Sequence, residues 1–172
     1  MATTTISVPG EPGNIAIMAA IGHVCLQWSR LEMAVLGLLV TIEPMEFEKG
    51  TLMFGGLDLL PRLSTAISLA RYHKLPLPIV RKIEAIRKEL QKGGLAERRN
   101  QAVHGAHRDL VGFETTLTMV RFKGDKRSQR ITAQSINQIA EDAHRLGDAA
   151  WSLMEEIRDW TFARDIRAEE TG

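Results

Sequence analysis

The sequence predicts a mainly helical fold: a bundle of four to five helices with a β-hairpin inserted before the last long helix. Two long stretches, near the two ends of the chain, repeat apolar residues at steps of three and four, which is typical of amphipathic helices. Between about 110 and 132, apolar and polar residues alternate instead, as in a strand. The 172 residues fit one domain with a sizeable core, predicted over 14–163.

The first long stretch predicts one helix over about 14–41. Asn14 can cap its first turn, and Pro44 ends it because a proline disfavours helical backbone in the preceding residue. Residues 1–13 are rich in threonine and contain two prolines, so a flexible N-terminal tail is expected there. The apolar stripe of the helix consists of Ile17, Ile21, Val24, Trp28, Leu31, Val35, Leu38 and Ile42.

The middle of the chain predicts a connector and three shorter helices. The connector covers 45–56 and contains glycines and acidic residues. A helix over about 57–72 follows, and then a rigid corner at 75–78, where two prolines alternate with leucines. The next helix covers 79–90 and stops before two glycines. A short helix over 95–104 ends at a further glycine.

The segment over about 110–132 predicts a hairpin, with one strand over 111–120 and a shorter returning strand over 129–132. Its basic residues have two interpretations: they follow an RNA backbone, or they form a solvated turn that protects a strand edge. These residues are Arg121, Lys123, Lys126, Arg127 and Arg130.

A second long apolar stripe predicts the last helix, which Thr132 or Ser135 can cap. The stripe runs from Ile136 to Trp160 at steps of three and four. The charged residues 164–172 are expected to fray and to form a C-terminal tail.

Composition and charge narrow the possible functions. The formal net charge is +1, so any site for nucleic acid must come from a local cluster of Arg and Lys. The single cysteine, Cys25, allows no internal disulfide. The longest apolar run, Met33–Ile42, is too short to span a bilayer, and the first residues do not resemble a secretion signal. We therefore expect a soluble cytoplasmic protein that does not associate with a membrane.

The sequence predicts neither a metal nor a cofactor. No His, Asp and Glu residues share a spacing typical of metal ligands, and the glycine pairs lack the lysine or strand context of a phosphate-binding loop. His73 and His144 are isolated in the sequence. His23 lies within the first helix, where we expect a satisfied core or interface histidine rather than a site residue.

One short segment, Arg98 to Gly105, combines residue types that can carry out chemistry. On a helix, Asn100 and His104 are four residues apart and share a face. Arg99 lies one position off that face, but its long side chain can reach alongside. A guanidinium, an amide and an imidazole are therefore expected to converge.

This combination suits cleavage of an RNA phosphodiester. Imidazole can move a proton near neutral pH, and arginine can hold phosphate oxygens through two parallel hydrogen bonds. An amide can orient the imidazole or bind a ribose hydroxyl. The same residues also have a structural interpretation, in which Arg98 and Arg99 are solvated or pair with Glu89 or Glu97, and His104 contacts free carbonyls at the helix end.

The string Arg99-Asn100-three residues-His104 resembles the motif of HEPN domains, an arginine followed after four to six residues by a histidine. The continuation from Val103 to Gly105 is also similar to family members, as is a long first helix with an aromatic residue and a Leu-Glu pair, here Trp28 and Leu31-Glu32. The helical order extends the resemblance over most of the chain.

The resemblance implies a HEPN-like helical bundle that pairs into a homodimer with a composite active site. Catalytic members are metal-independent endoribonucleases that leave a 2′,3′-cyclic phosphate, and they act as toxins, antiviral defence effectors or RNA-processing enzymes. By this resemblance Arg99 stabilises the phosphate, His104 is the acid and base, and Asn100 positions it. An antitoxin or regulatory protein is a further expected partner. Other members only bind RNA or nucleotides, and a purely structural dimer is a third alternative.

The segment after the motif departs from the family. It lacks the aromatic residue that often follows the histidine, and His107 and Arg108 stand there instead. Together with Arg98 they are the further candidates for RNA binding, while a surface position without a role is the simpler interpretation of His107.

Overall fold

The structure is a computed structural model that describes the backbone of residues 12–104, 106–111, 114–120 and 126–170. Side chains are described for residues 15–104 and 132–166. The described residues form two compact units. Residues up to 26 and from 97 to 140 belong to the first unit, and residues 27–96 and those from 141 onward belong to the second.

Six α-helices make up most of the described backbone, which confirms the prediction of a mainly helical fold. The start of the first helix at a proline agrees with the preference of proline for the first helical turn. The helices are α1 (Pro12–Ile42), α2 (Phe47–Phe54), α3 (Leu59–Tyr72), α4 (Leu77–Gln91), α5 (Leu95–His104) and α6 (Ala133–Glu170).

Three strands lie between α5 and α6: β1 (Ala106–Val111), β2 (Glu114–Val120) and β3 (Lys126–Thr132). They form an antiparallel sheet in the order β1-β2-β3, in which Glu114 pairs with Thr132. The sequence predicts one two-stranded hairpin over about 110–132, whereas this backbone has three strands and the first begins at Ala106. Residues 106–110 do not alternate in polarity, so their ladder pairing could not be predicted from the side-chain pattern.

Three helices extend beyond their predicted ends. Helix α1 begins at Pro12, within the expected tail over 1–13, so position 14 lies inside the helix and Asn14 is not its cap. Helix α4 begins at Leu77, inside the expected proline corner, because Pro78 falls in its first turn, where no backbone donor is needed. Helix α6 continues to Glu170 through most of the segment expected to be a tail from 164. Residues 164–170 contain no glycine or proline, and their alanine, arginine and glutamate residues favour helix.

The second unit has its core between α1, α3, α4 and α6. Helices α3 and α4 pack against each other, and Arg87 Nε of α4 donates to Ser64 Oγ of α3 at 3.1 Å. A Cβ atom on Gly37 would lie 3.0 Å from the Met154 side chain, so the glycine lets α6 approach α1 closely. The most deeply buried side chains of this unit are Leu31, Val35, Leu38, Leu39, Leu63, Ile83, Leu90 and Ile157.

Helix α2 lies within the segment that was predicted as a connector, so this part of the prediction is wrong. Gly50 and Phe54 form its buried face. A Cβ atom on Gly50 would collide with the Val40 side chain, so glycine is the residue that permits this close contact. The segment contains three glycines, and glycine lowers helix propensity. The sequence therefore predicts a connector instead of this helix.

A buried arginine fixes the loop after α2. The guanidinium of Arg62 donates to the carbonyl oxygens of Phe54 (3.0 Å), Gly55 (2.7 Å) and Glu32 (3.3 Å). The residue is only 8% exposed, and these three acceptors compensate the loss of water around its charge. Arg62 therefore joins the end of α2 to α1 and holds the short helix in place.

The first unit has a small apolar core and contains the start of α6. Two residues at this start, Thr132 and Ser135, bond to each other. The Ser135 amide donates to Thr132 Oγ1 and the Thr132 amide donates to Ser135 Oγ, both at 3.1 Å. In this arrangement, related to the capping box, Thr132 is the N-cap of α6 and Ser135 is its partner in the first turn, so of the two predicted candidates Thr132 is the cap. The buried apolar residues of this unit include Ile17, Ala20, Val24, Ala102, Ile136, Ile139 and Ala140.

Helix α1 also meets the length and composition required to cross a membrane over 15–42, with a mean hydropathy of 1.3. The expectation from the sequence rests on the shorter run Met33–Ile42, which covers only the last part of this apolar helix. In the most apolar window of the helix, 56% is buried inside the protein. The core helix of a soluble fold meets the same two criteria.

Candidate functional site

Helix α5 presents the Arg-Asn-x-x-x-His motif, and its bounds agree with the prediction. Gly93 and Gly94 precede it with φ angles of 99° and 59°, values that favour glycine and that allow the chain to turn after α4. Ala102 is buried, whereas Asn100 and His104 are exposed. The helix therefore buries a small residue and displays Asn100 and His104 on the opposite side.

A single nitrogen of Arg99 joins the three motif residues. Its Nη1 atom donates to Asn100 Oδ1 at 2.9 Å and lies 3.3 Å from His104 Nε2. Both partners are exposed, and Arg99 is half-buried. The convergence predicted from the helical spacing is therefore present, with Arg99 between the amide and the imidazole.

The contact with Arg99 assigns a hydrogen-bonding role to one nitrogen of His104. A guanidinium has only donors, so in this contact Nε2 of His104 is the acceptor. The site thus places an imidazole nitrogen next to a permanent positive charge.

Asn100 has a different partner from the expected one. The resemblance implied that this amide positions His104, but its oxygen accepts from Arg99 instead. The physical reason is that the long Arg99 side chain lies across the helix and reaches both neighbours. The Asn100 oxygen therefore helps to orient the guanidinium, and a role of Asn100 in positioning His104 stays a prediction.

The acidic residues near the motif bear on the structural interpretation of Arg98 and Arg99. Gln101 Nε2 donates to Glu97 Oε1 at 3.3 Å, one turn earlier on the same helix. Glu89, one of the two acidic partners considered for the arginines, lies 3.6 Å from Arg145 in the second unit. Arg98 is half-buried, so it is not a fully solvated side chain.

Two of the candidate RNA-binding residues follow the helix on β1. The backbone of His107 pairs with Leu117 and that of Arg108 with Thr116, while their side chains lie outside the described residues. The basic cluster of the predicted turn lies outside them too: Arg121 and Lys123 entirely, and Lys126, Arg127 and Arg130 in their side chains. The positions of these groups relative to the motif stay predictions.

The other histidines have partners that the sequence did not predict. His23 is exposed rather than a core residue, and its Nδ1 lies 3.4 Å from Asn137 Oδ1 within the first unit. In the second unit, His73 Nε2 lies 2.6 Å from Glu43 Oε2, so this histidine is not isolated. These two contacts join residues far apart in the sequence, and local spacing gives no signal for them. His144 is not isolated either, since its Nε2 lies 3.3 Å from Asp148 Oδ2, one turn later on α6.

A groove between α4 and α6 lies in the second unit and has a volume of about 350 Å³. Its floor is largely apolar and includes Ile86 and Leu153. Lys82 pairs with Glu156 at 2.5 Å, and Arg145 lies 3.6 Å from Glu89. These charged groups satisfy one another, and no motif residue lines the groove. Among the described residues, no group of three His, Cys, Asp or Glu is placed to hold a metal ion.

Comparisons of the chain with protein-family models, with curated proteins and with solved structures find no match. The geometry of Arg99, Asn100 and His104 therefore carries the functional argument together with the motif resemblance.

Proposed function

We propose that this chain is a metal-independent endoribonuclease of the HEPN type that acts as a homodimer with a composite active site. In this proposal the helices form a HEPN-like bundle, with the strand segment inserted before α6. The observation that carries the proposal is the position of Arg99 Nη1, which lies 2.9 Å from Asn100 Oδ1 and 3.3 Å from His104 Nε2. A phosphate-binding cation and a proton acceptor are thereby adjacent on one exposed face.

The chemistry follows from these two groups. Arg99 binds the oxygens of the scissile phosphate, where negative charge builds up in the transition state. His104 Nε2 takes the proton from the ribose 2′-hydroxyl, whose oxygen then attacks phosphorus. The bond to the 5′-oxygen breaks, and a protonated imidazole, that of the second copy, donates to the leaving oxygen. The products are a 2′,3′-cyclic phosphate and a 5′-hydroxyl end.

An exposed apolar stripe on α1 supports the homodimer. Ile15, Met18 and Leu26 are 58%, 53% and 58% exposed, and the space beside Gly22 is open. Positions 15, 18, 22 and 26 follow at steps of three and four, so they lie on one face of the helix. This stripe belongs to the first unit, as do Arg99 and His104. Exposed apolar surface of this kind is typical of a face that a partner covers.

The biological role that fits such an enzyme is that of a cytoplasmic toxin or antiviral defence effector. An RNA-cleaving enzyme must be restrained in its own cell, so an antitoxin or regulatory protein is the proposed second partner. Neither a cofactor nor a membrane enters this proposal.

The experiment is incubation of the full-length protein with labelled RNA in buffer that contains EDTA. We expect cleavage that leaves 2′,3′-cyclic phosphate ends. His104→Ala should lower the rate by about 10²-fold or more, because it removes the acid and base. His144→Ala is the matched control, since His144 is exposed, pairs with Asp148 at 3.3 Å in the second unit, and should leave the rate unchanged.

Other outcomes separate the alternatives. Saturable RNA or nucleotide binding without turnover, weakened by Arg99→Ala, would identify a binding module. Absence of RNA affinity above a salt-sensitive background would identify a structural dimer. Full cleavage by His104→Ala would exclude the assigned acid and base.

A further inference from the structure

Basic residues are concentrated in the segment that contains the end of α3 and the whole of α4. Between positions 71 and 92 the chain has seven lysine and arginine residues and two glutamates, whereas the formal net charge of the whole chain is only +1. The segment belongs to the second unit, and the motif of α5 belongs to the first. A local surplus of positive charge of this kind is the electrostatic footprint of a nucleic-acid site.

Three of these cations form a basic row on the exposed face of α4. Arg81, Lys88 and Lys92 follow at steps of seven and four, so they lie on one side of the helix and its C-cap, and all three are exposed. The rise of an α-helix separates the two ends of this basic row by about 16 Å. The buried apolar residues of α4 lie on the opposite side and include Ile79, Ile83, Ile86 and Leu90.

The two glutamates of α4 are neutralised from neighbouring helices. Arg71 Nη2 donates to Glu84 Oε1 at 2.6 Å, and Glu89 lies 3.6 Å from Arg145. Among the described side chains, by contrast, the basic row forms no ion pair. Its three charges therefore stay available for an anionic ligand.

An exposed aromatic ring lies at the end of α3, close to this row. Tyr72 is 78% exposed, and its neighbour Arg71 contacts Glu84, which lies on the same face of α4 as the basic row. His73 meets the Tyr72 ring in a perpendicular contact with ring centroids 5.1 Å apart, and Glu43 holds His73 at 2.6 Å. The Tyr72 ring is thus supported on one side and open to solvent for the stacking of a base.

We propose that Tyr72 and the basic row form a binding site for single-stranded RNA, in which a base stacks on the Tyr72 ring and phosphates contact the three cations. This inference rests on the proposed ribonuclease function and adds a second surface that binds the substrate. A single strand is required because the bases of a duplex are stacked on one another and offer no free face. Every base has such a face, so the site should bind with little sequence preference.

An anionic membrane is a weaker match to this surface. Membrane binding by a basic helix requires a large apolar face beside the charges. Leu77 is the one large apolar side chain that α4, which is described throughout, exposes. The combination of cations with an exposed aromatic ring therefore favours RNA.

The test is binding of the full-length protein to a fluorescent 2′-O-methyl oligonucleotide of about 12 nucleotides, measured by anisotropy. The probe has no free 2′-hydroxyl, so the proposed reaction cannot cleave it. Tyr72→Ala should raise Kd by about fivefold or more because the stacking of a base is lost, whereas Tyr72→Phe should keep the wild-type Kd. Phe162→Ala is the matched control and should leave Kd unchanged, since it removes a 69% exposed ring of α6 that Asp159 and Asp165 flank at three residues on either side.

The salt dependence of binding tests the basic row separately. The double variant Lys88→Gln, Lys92→Gln should weaken binding and lower the slope of log Kd against log salt by about 1.4, since each phosphate contact of a single strand contributes about 0.7. Lys49→Gln, which removes an exposed lysine of α2, should keep the wild-type slope. A duplex of the probe with its complement should bind more weakly, and Tyr72→Ala should not change its Kd.

A wild-type Kd in Tyr72→Ala, or an unchanged salt slope in the double lysine variant, would overturn the site. Binding to phosphatidylserine vesicles that Leu77→Asp abolishes, without binding of the oligonucleotide, would overturn it too and identify a membrane surface. The RNA-cleavage assay in EDTA separates this result from the proposed function. Binding that depends on Tyr72 without RNA cleavage keeps the site and refutes the ribonuclease, whereas cleavage with a KM that Tyr72→Ala does not change keeps the ribonuclease and refutes the site.

Discussion

Arg62 donates a 2.7 Å hydrogen bond from Nη2 to the carbonyl oxygen of Gly55, from a position within α3 to the end of α2. The same guanidinium also holds two further carbonyl oxygens, so one buried side chain satisfies three backbone acceptors. The relationship explains how an eight-residue helix, too short to be stable alone, keeps a defined position.

Arg62→Met is therefore expected to destabilise the protein although it preserves much of the apolar stem. Hydrogen bonds to a charged group contribute about 1.5–3 kcal/mol, and the abandoned carbonyls would add to the loss. We expect a decrease of about 3 kcal/mol in the free energy of unfolding, measured by urea denaturation. Arg81→Met, at an exposed position of α4, is the matched control and should change it by less than about 0.5 kcal/mol.

Gly50→Ala should also destabilise, against the usual preference of helices for alanine. The new methyl group would collide with Val40, and overpacking of this kind costs about 1–3 kcal/mol. In a Val40→Ala background the collision is removed, so the same substitution should become neutral or stabilising by up to about 1 kcal/mol. A double-mutant cycle measures this change of sign. Equal effects of Gly50→Ala in both backgrounds would show that Val40 is not the obstacle.

Asn100→Asp tests the contact between Asn100 and Arg99. A carboxylate would pair with the guanidinium more strongly than the amide does and would compete with phosphate for it. We expect kcat/KM for RNA cleavage to fall by about tenfold or more, and further than in Asn100→Ala. Gln134→Glu adds the same charge at an exposed position of α6 and should leave kcat/KM nearly unchanged. A larger loss of kcat/KM in Asn100→Ala than in Asn100→Asp would contradict a competition between the carboxylate and phosphate for Arg99.

Met18→Asp tests the apolar stripe of α1 as the surface between two copies. A charge buried in an apolar interface without a partner is strongly unfavourable, so the protein should become monomeric. Sedimentation velocity at micromolar concentration measures the change. Leu77→Asp, at another exposed leucine on α4, should leave the association state as it is in the wild type. If the Met18→Asp and Leu26→Asp variants both remain dimeric, the interface lies on another surface.

The sequence predicted those elements that are determined by residues close together in the chain. The start and end of α5 follow from flanking glycines, and the reciprocal cap of α6 follows from Thr132 and Ser135. The shared face of Asn100 and His104 likewise follows from the helical repeat. In each case the interaction that determines the feature is made by residues close together in the sequence.

The elements that were missed depend on contacts between distant residues. Helix α2 needs the approach of Gly50 to Val40, and its loop needs Arg62, which a hydropathy pattern treats as exposed. Within the site, spacing could not decide which pair of side chains touches, because the reach of Arg99 depends on its rotamer. The contact between the Asn100 oxygen and Arg99 could therefore not be predicted from spacing.

Thr132 belongs both to β3, where it pairs with Glu114, and to the cap of α6, where it bonds reciprocally with Ser135. Because the same residue ends the strand and caps the helix, a shift of the strand register at Thr132 would also displace the first turn of α6. The end of the sheet and the start of the last helix are therefore coupled through a single position.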